Sequence, residues 1–536
     1  MLSRRMFVMP RFLRCLTLVV LLTLFPSMPV FANQLFIEGS GWGHGLGLSQ
    51  YGAKAMAIDG VSYEKIVSNY FPETSVTPYE SVTGGTFFET KNKPLWVGLR
   101  QNSQDISFVV EKGKAELCFD FSNYCVATAN PDEKWSFTLD GTGNCVFLIR
   151  KDSGNFRMTS QTSRCSASVR PISKDTIIRI PYKARSYKDG TLRIRQSPET
   201  MKLQIIYEIG VEDFMRGLSE VPESWPQEAI KAQAVVSRSQ TVWKALDRGS
   251  FESFDTKLKN DCYCNIWDNT NDQIFRGYTG EETHPKWVDA VESTSKEILN
   301  YRGSIALGMH FSSSAGRTEN YSDVFDSNEH PYLKSVNDQA AFLEKASNPH
   351  TNWTASYMSA SLAEIFGFDS LVDMKATKLN ESGSVKELKL TGLIEAKQSE
   401  KFFSGVEVRN ALSLRSTFFR ITNFLRFDDV TENHPFAGEI LALDELAITK
   451  GCTLSQFCPE KKVTRGEMAA FLVRALNLPQ IENSDPYVDD DGHVFESEIT
   501  TLSAYGITKG CTLSQFCPEK EVTRGEMAAF LVRALS

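Results

Sequence analysis

The stretch LSEVPESWPQEAIKAQAVVSRSQT, residues 218–241, decides how this chain is interpreted. The segment VEDFMRGLSEV before it has apolar residues at helical spacing, and the alanine- and valine-rich segment after Trp225 predicts a second helix. Glu220 therefore falls in the turn between two helices, beside Val221 and Trp225. Either it is a solvated carboxylate near a helix start, or the turn is built to present it.

Glu220 has the chemistry of a candidate general acid. A carboxyl group beside apolar and aromatic surface has its charged form disfavoured, which is how proteins keep a glutamate protonated near neutral pH. The positive end of the following helix acts in the opposite direction, by roughly 0.3–1 kcal/mol if the site is exposed. The residues alone leave both the catalytic and the solvated interpretation open.

The amino terminus predicts export. MLSRRMFVMPRFLRCLTLVVLLTLFPSMPVFAN has a basic start, a short apolar run and small residues at its end, so residues 1–32 are predicted to be a signal peptide. A membrane anchor is the alternative, but the run is short for a spanning helix. SRRMF also fits a twin-arginine signal, which leaves the export route open. We expect a secreted protein.

Cysteine usage and charge agree with an exported protein. Of 11 cysteines, Cys15 lies in the predicted signal peptide and the others fall into close pairs that predict local disulfides. These pairs are Cys118 with Cys125, Cys145 with Cys165, Cys262 with Cys264, Cys452 with Cys458, and Cys511 with Cys517. For Cys262 and Cys264, free thiols or a structural zinc with His284 are alternatives. The net charge of -8 argues against a nucleic-acid partner.

The chain divides into a large mixed domain and a short repetitive end. From about residue 90 to 209, short runs such as LWVGLR, ISFVVE and LQIIYEI alternate with turn residues and predict a β-rich region. Together with the helices around Glu220, this predicts an α+β fold class for residues 33–425.

An internal repeat occupies the carboxyl end. ITKGCTLSQFCPEKKVTRGEMAAFLVRAL starts at Ile448 and recurs, almost unchanged, from Ile507. Each unit predicts two helices joined by a Gly-Cys loop, with Thr464 or Thr523 as the N-cap of the second helix. Residues 426–481 and 482–536 are therefore predicted to be two small all-α repeats stapled by disulfides.

These repeats closely resemble S-layer homology (SLH) modules. The resemblance implies that they bind secondary cell-wall polysaccharide and that Arg465 and Arg524, in the TR pair of each repeat, line the binding groove. The alternative is that both arginines cap or solvate a helix. The family commonly uses three modules together, whereas two are found here.

The opening stretch resembles the stage II sporulation protein D family (SpoIID/LytB domain). YEIGVEDFMRGLSEVPESWPQEAIKAQAVVSRSQT is similar to its central segment. IFRGY, AVESTSKEILNYRGSIALGMHFSSSAGRTENYSDVF, HPYLKSV and VEVRNALSLRSTFFRI continue in family order. The resemblance implies a helix-lined substrate groove and a lytic transglycosylase that cleaves between N-acetylmuramic acid and N-acetylglucosamine of peptide-free peptidoglycan strands. It implies 1,6-anhydro products. We expect no cofactor and no metal.

The resemblance also assigns roles to residues. It makes Glu220, in the E-x-P element, the catalytic residue. The remaining matched positions are implied to bind substrate: Lys231, Gln233, Arg238, Ser314, Gly316, Thr318 and Tyr332. The alternatives are a solvated helix face for Lys231, a plain structural turn for the 314–318 loop and a core position for Tyr332. The family often has histidine where Phe311 stands and glycine where Ala315 stands.

A further family element stands in an unexpected place. GSGWGHGLGLSQYGAKA, from residue 39, matches an element that usually follows STFFRI, residues 416–421, but here it precedes everything. We predict a circular permutation that pairs QLFIEGSG with STFFRI and returns His44 and Gln50 to the Glu220 groove. The alternative for His44 is a buried turn histidine. A phosphate loop is rejected because its lysine is missing.

Three other functions compete with a transglycosylase. The same family includes amidase enhancers, which bind peptidoglycan or a partner N-acetylmuramoyl-L-alanine amidase without cutting glycan. The repeats alone would suit a cell-surface adhesion protein. A metal hydrolase is disfavoured because the chain has 7 histidines and no H-E-x-x-H pattern. We expect a protein associated with the cell wall or cell surface.

Overall fold

The computed structural model describes most of the chain beyond the amino terminus. The described residues are 34–84, 94–121, 124–139, 144–150, 156–162, 165–395, 397–423, 427, 429–430, 434–436, 439–440, 443–444, 446, 448–453, 456–481 and 485–535. The predicted signal peptide, residues 1–32, lies outside this part. Strands outnumber helices in the described part, so the chain is a mixed and strand-rich protein.

The strands occur throughout the large domain. In chain order they are β1 (Gln34–Gly39), β2 (Leu48–Ser49), β3 (Ser75–Pro78), β4 (Leu95–Ser103), β5 (Asp105–Lys112), β6 (Ala115–Phe119), β7 (Tyr124–Ala129), β8 (Lys134–Leu139), β9 (Cys145–Arg150), β10 (Phe156–Thr162), β11 (Ala167–Pro171), β12 (Ile177–Ile180), β13 (Arg185–Tyr187), β14 (Gly190–Gln196), β15 (Leu203–Ile209), β16 (Ile266–Trp267), β17 (Glu297–Tyr301), β18 (Ser304–Ile305), β19 (His310–Phe311), β20 (Trp353–Met358), β21 (Ser370–Leu379), β22 (Val385–Ile394), β23 (Lys397–Ser404) and β24 (Phe419–Asn423).

The α-helices lie around and after these strands. In chain order they are α1 (Gln50–Ile58), α2 (Tyr63–Tyr70), α3 (Val211–Arg216), α4 (Gln227–Arg248), α5 (Thr256–Asp261), α6 (Tyr278–Thr283), α7 (Pro285–Ser293), α8 (Tyr321–Phe325), α9 (Ser359–Phe366), α10 (Gly405–Ala411), α11 (Arg465–Ala475), α12 (Glu496–Ala504) and α13 (Arg524–Leu535). None of the described helices is long and apolar enough to span a bilayer.

Two sheets form the β-rich region. One has the strand order β16-β4-β15-β14-β11-β6-β7 and the other β10-β9-β8-β5-β12-β13. Their apolar side chains meet in a common core that includes Phe108, Phe147 and Tyr207. This region begins at Leu95 and ends at Ile209, where the chain turns into the helical part that holds Glu220.

Helix α4 is the centre of the helical part. It packs against α1, α2, α7 and β17, and its small residues allow those neighbours to come close. Ala229, Ala232 and Ala234 are buried, and a side chain at Gly308 would collide with the backbone of Val236. The alanine-rich pattern of the sequence therefore reflects close packing on several sides of one helix.

Strand β1 pairs as the permutation hypothesis predicts. It lies between β20 and β24, antiparallel to both, with Ile37 opposite Ile421 and Gly39 opposite Phe419. The first described strand of the chain thus joins the last strand of the large domain. The predicted pairing of QLFIEGSG with STFFRI is confirmed.

Strands β21, β22 and β23 form a separate antiparallel sheet. Helices α9 and α10 cover it, and Leu371, Leu388, Leu390 and Val408 form its core together with Leu35 from β1. The permuted strand therefore links this sheet to the part of the molecule that carries Glu220.

All five predicted cysteine pairs form disulfides. Four are the close pairs outside the helical part: Cys118–Cys125, Cys145–Cys165, Cys452–Cys458 and Cys511–Cys517. Cys262 and Cys264 are also joined to each other. A zinc site with His284 is therefore wrong, because zinc binds the thiolate form of cysteine and neither thiol is free.

The described residues of the two repeats form helices α11, α12 and α13. Thr464 caps α11 and completes a capping box with Glu467, as the sequence predicts. Asp429 in the first repeat and Asp489 in the second occupy equivalent structural positions. Each accepts two hydrogen bonds from the backbone of its disulfide loop. Equivalent loops are thus fastened in the same way.

Candidate active site

The turn that carries Glu220 is held in place on both sides. Ser219 has a left-handed backbone conformation with φ of 55°, which a residue other than glycine adopts only when its surroundings impose it. Leu218, Val221 and Trp225 are buried in the core. The Glu220 side chain remains 19% exposed. The geometry therefore fits a turn that presents this carboxylate.

Gln50 reaches the turn from the permuted segment. Strand β2 pairs in parallel with β19, and Ser49 at its end accepts a hydrogen bond from Gly52 as the N-cap of α1. Gln50 then begins the helix, and its Nε2 donates to the backbone carbonyl of Glu220 at 3.5 Å and to Gln233 Oε1 at 3.3 Å. The structure thus brings Gln50 to Glu220.

His310, which the sequence analysis missed, lies close to the Glu220 carboxylate. Its Nε2 lies 3.8 Å from Glu220 Oε2, and the side chains of His310 and Glu220 are 14% and 19% exposed. The signal was the histidine that the family often has in place of Phe311. The chain has a histidine one position earlier, and β19 places it opposite Leu48 at the start of β2.

His44 neighbours His310. Its Nδ1 accepts a hydrogen bond from the backbone of Leu46 at 3.0 Å. Burial lowers the pKa of His44 to about 3, with smaller contributions from the neighbouring His310 and Arg409. The ring is therefore neutral at physiological pH, so it offers a hydrogen bond rather than a charge.

The three predicted binding residues of α4 are all engaged within the protein. Lys231 pairs with Glu228 at 2.9 Å. Gln233 is buried and bonds to Gln50 and Ser237. These contacts keep the Gln233 amide close to the turn but turn the Lys231 charge towards its own helix.

Arg238 is fully buried and has a structural environment. Its guanidinium donates to both carboxylate oxygens of Glu212 at 2.9 and 3.0 Å, and to the backbone carbonyls of Val291 and Glu297. With no exposed surface, it cannot reach a glycan without unfolding its surroundings. The structure therefore places this predicted substrate-binding residue in the scaffold.

The loop at residues 314–318 is held by internal bonds. Ser314 donates to Asp338 at 2.6 Å, and Thr318 bonds to the backbone of Lys334 and Val336. Gly316 has φ of 104°, a conformation that favours glycine. Ser314 and Thr318 are buried, so their hydroxyl groups contact partners in the protein and do not line the predicted substrate groove.

Tyr332 lies in the core. Its ring packs against Tyr301 with ring centres 4.8 Å apart, and its hydroxyl accepts a hydrogen bond from the backbone of Leu307 at 2.6 Å. Only 3% of its surface is exposed, so neither face of the ring can receive a sugar. The core alternative describes this position.

An aromatic cluster lies beside the Gln50 helix. Trp42 is 47% exposed and meets His350 edge-on at 4.6 Å. Tyr51 packs between His350 and Trp225, and Trp225 adjoins the Glu220 turn in sequence. Exposed aromatic rings that lead to a carboxylate are suited to contact the apolar faces of sugars.

A large cavity in the described part of the structure has His44 in its wall. It has a volume of about 900 Å³ and lies between α8, the β21–β22 hairpin and the segment from β23 to α10. His44 and Arg409 are on its wall. This cavity, the His44 groove, thus has a neutral histidine on its wall.

In the repeats, the side chain of Arg465 is enclosed by other described residues. It is buried, donates to the backbone carbonyl of Phe516 at 2.8 Å and lies over the rings of Phe516 and Phe530. It also pairs with Glu526 at 3.3 Å. This arginine thus joins the two repeats. The side chain of Arg524 lies outside the described residues.

Comparison with known families gives two matches along the chain. Residues 199–301, which include Glu220 and helix α4, match the family described as Stage II sporulation protein. Residues 426–469 and 486–528 match the S-layer homology domain. A location at the cell surface or cell wall follows from these domains.

Individual relatives agree with this division. The chain is 25% identical to the amidase enhancer of Bacillus subtilis over 297 residues, 54% of this chain and 38% of that protein. It is 28% identical to stage II sporulation protein D of Bacillus subtilis over 283 residues, 51% of this chain and 74% of that protein. It is 33% identical to the S-layer protein sap of Bacillus anthracis over 109 residues, 20% of this chain and 13% of that protein. The chain thus spans about two fifths of the amidase enhancer's length.

Proposed function

Because this chain carries a stage II sporulation protein domain followed by two S-layer homology domains, we propose that it is a peptidoglycan lytic transglycosylase held at the cell surface. The observation that carries the proposal is the Glu220 carboxylate, which is presented by a strained turn beside His310. Gln50 supports the same turn from a distant part of the chain.

Glu220 acts first as an acid and then as a base. Its carboxyl group gives a proton to the glycosidic oxygen as the bond from that oxygen to C1 of the N-acetylmuramoyl residue breaks. The remaining carboxylate takes the proton of the 6-hydroxyl of the same residue while the 6-oxygen attacks C1. The product is a 1,6-anhydro sugar, Glu220 is protonated again, and no water is consumed.

A single carboxyl group suffices for this reaction. Glycosidases need a second carboxylate as nucleophile or to activate water, whereas here the nucleophile is part of the substrate. At 3.8 Å from Glu220, His310 is beyond hydrogen-bond range. In its protonated form it would stabilise the carboxylate that remains after the first proton transfer.

A non-catalytic role is the second candidate. The relative named amidase enhancer favours it, because it aligns with more than half of the chain. In that case the groove would bind peptidoglycan or an amidase, and the Glu220 turn would be structural.

Mass spectrometry of peptide-free glycan strands separates the two functions. Incubation with the full-length protein should produce 1,6-anhydro-muramic ends, and Glu220→Gln should abolish them while leaving strand binding intact. Reducing ends would mean hydrolysis instead. Binding without cleavage by either protein would favour the amidase-enhancer function and contradict the transglycosylase.

Attachment to secondary cell-wall polysaccharide is the proposed role of the repeats. Arg465 is occupied in joining the two repeats, so Arg524 is the better candidate for contact with the polysaccharide. Sedimentation of the protein with purified walls tests this: Arg524→Ala should release it, and an unchanged bound fraction would contradict the assignment.

A further inference from the structure

The His44 groove is lined by three cationic side chains, Lys378, Lys386 and Arg409, which differ in whether an acidic group pairs with them. Two of them are paired: Lys378 with Glu387 at 2.9 Å, and Lys386 with Asp323 at 3.3 Å. Their charges are balanced within the protein. The third cation, on helix α10, is not balanced in this way.

Within the described part of the chain, the buried Nε of Arg409 has no hydrogen-bond partner. Among the residues that the structure describes, none pairs an acidic group with its guanidinium, and burial alone lowers the pKa of this group. An unbalanced charge in a partly buried place destabilises the fold. The unpaired charge of Arg409 therefore does not stabilise the fold. Binding of an external anion would explain why an arginine stands at this position.

The position of Arg409 connects it to the reaction site. Its charge acts on His44, which neighbours His310, and His310 lies 3.8 Å from the Glu220 carboxylate. Arg409 and His44 thus lie on the wall of the same groove. The cations that the sequence suggested for anion binding, Lys231 and Arg238, are occupied by Glu228 and Glu212.

We propose that Arg409 binds the lactyl carboxylate of an N-acetylmuramoyl residue in the groove and so distinguishes peptidoglycan from neutral glycans. This inference rests on the proposed function for its substrate. A guanidinium and a carboxylate form two parallel hydrogen bonds, which give geometric selectivity as well as affinity. Arg409 is a specificity residue and takes no part in proton transfer.

Calorimetric binding to the inactive Glu220→Gln protein tests this without requiring cleavage. Adding Arg409→Met should weaken binding of peptide-free strands by roughly 10- to 100-fold, the effect of losing a charge-assisted bond. Binding of neutral chitooligosaccharides should change less than about threefold. Lys386→Ala is the matched control, because Lys386 lines the same groove but its charge is already paired with Asp323.

The outcomes are distinct from those of the cleavage experiment. Equal losses for charged and neutral glycans, or no loss, would overturn the role of Arg409 even if the wild-type protein cleaves. If inorganic phosphate bound as tightly as the peptide-free strand and competed with it, Arg409 would belong to a general anion site. That result would also contradict selectivity for the carboxylate. A selective loss would support it even if no cleavage occurs.

A second and independent inference concerns the last repeat. Because Asp429 and Asp489 fasten equivalent loops, the residues that follow them, Val430 and Asp490, are equivalent. Both are buried, Val430 at 2% and Asp490 at 0% exposure. The second repeat therefore has a carboxylate where the first has an apolar side chain.

Both carboxylate oxygens of Asp490 lack a hydrogen-bond partner among the residues that the structure describes. The next residue, Asp491, forms an acidic cluster with Asp485 and Glu496, in which oxygens of the three side chains lie within 4.8 Å of one another. The charges of Asp485 and Glu496 act on the buried Asp490 carboxylate. No lysine or arginine in the described part of the chain pairs with these carboxylates, and the backbone N–H groups of Tyr487 and Gly492 donate to Asp485 and Glu496.

We infer that Asp485, Asp491 and Glu496 form a Ca²⁺ site in the last repeat, next to the buried carboxylate of Asp490. Ca²⁺ takes about 6–8 oxygen ligands in flexible geometry, and carboxylates are its preferred ligands. Gly492, with φ of 74°, allows the tight turn between Asp491 and Glu496. A bound cation would satisfy Asp490 and remove the repulsion among its neighbours.

Titration calorimetry of the full-length protein with calcium tests this site. The wild type should bind Ca²⁺ in preference to Mg²⁺. Asp490→Val, which restores the residue of the first repeat, should weaken binding at least tenfold and raise stability in chelator. Asp490→Asn should also lose binding. Glu519→Gln, an exposed carboxylate paired with His493 outside the cluster, should retain it.

Two results would overturn the calcium site. One is the absence of any binding heat for the wild type at millimolar calcium. The other is unchanged calcium binding by both Asp490→Val and Asp490→Asn when thermal unfolding shows that each variant is folded.

Discussion

Arg238 and Arg409 lie in segments that resemble the same family, yet their surroundings are opposite. Arg238 is fully buried, and each of its nitrogens has an acceptor among Glu212 and backbone carbonyls. Arg409 has a buried nitrogen without an acceptor and lies on a groove wall. One guanidinium organises the scaffold and the other is available to a ligand. A shared motif therefore does not indicate which arginine binds substrate.

Stability should separate the two arginines most strongly. Arg238→Met leaves Glu212 and two backbone carbonyls without their partner, which should lower the free energy of unfolding by about 3 kcal/mol. Arg409→Met removes an unbalanced charge and should leave it unchanged or raise it by less than about 1 kcal/mol. Urea unfolding measures both. Similar losses for the two variants would remove the distinction.

The burial of His44 should appear in the pH dependence of stability, with the charge of Arg409 as a smaller contribution. His44 has a folded-state pKa of about 3, below its usual 6.5, so the unfolded chain binds a proton first as the pH falls. Stability is therefore lost from about pH 6.5 towards pH 3, by about 2 kcal/mol at pH 5. Urea unfolding at several pH values should show a shallower loss for His44→Gln. An identical slope would contradict this origin.

Trp42 tests whether the exposed aromatic cluster binds sugar. Trp42→Ala should weaken binding of charged and neutral glycans alike, by roughly 1 kcal/mol or about fivefold, because stacking is indifferent to charge. This differs from Arg409→Met, which should affect charged strands. Calorimetry in the Glu220→Gln background measures both variants, and charge-selective loss at Trp42 would contradict a stacking role.

The smallest effect is expected at Gln50. Gln50→Ala removes the bonds to the Glu220 carbonyl and to Gln233, which should cost about 1 kcal/mol in stability. If the bond also positions the turn, kcat should fall while KM stays the same. A change confined to stability would mean that Gln50 braces the turn without orienting the Glu220 side chain.

Local patterns predicted much of this molecule correctly. Close cysteine spacing predicted the disulfides, alternation of apolar residues predicted the β-rich region, and the N-cap residue Thr464 predicted the start of α11. Each of these depends on residues a few positions apart. The family order of motifs also predicted the pairing of β1 with β24, because a permuted strand must return to its former neighbour.

Residue roles were harder to predict. Arg238, Thr318 and Tyr332 occupy matched positions, yet their polar groups are bonded inside the protein. Burial depends on which elements pack together, and no local pattern reports that. His310 was missed for the same reason, since its approach to Glu220 depends on the pairing of β19 with β2.

The sequence by itself predicted an exported chain and determined a stage II sporulation protein segment, two repeats and a glutamate between two helices. The tertiary structure decided which side chains surround that glutamate. It brought Gln50 and His310 to the turn, buried Arg238 with Glu212, and left Arg409 on a groove wall without an acidic partner in the described part of the chain. The physical reason is that helix and strand signals arise within a few residues, whereas burial and charge compensation arise between residues far apart in the chain.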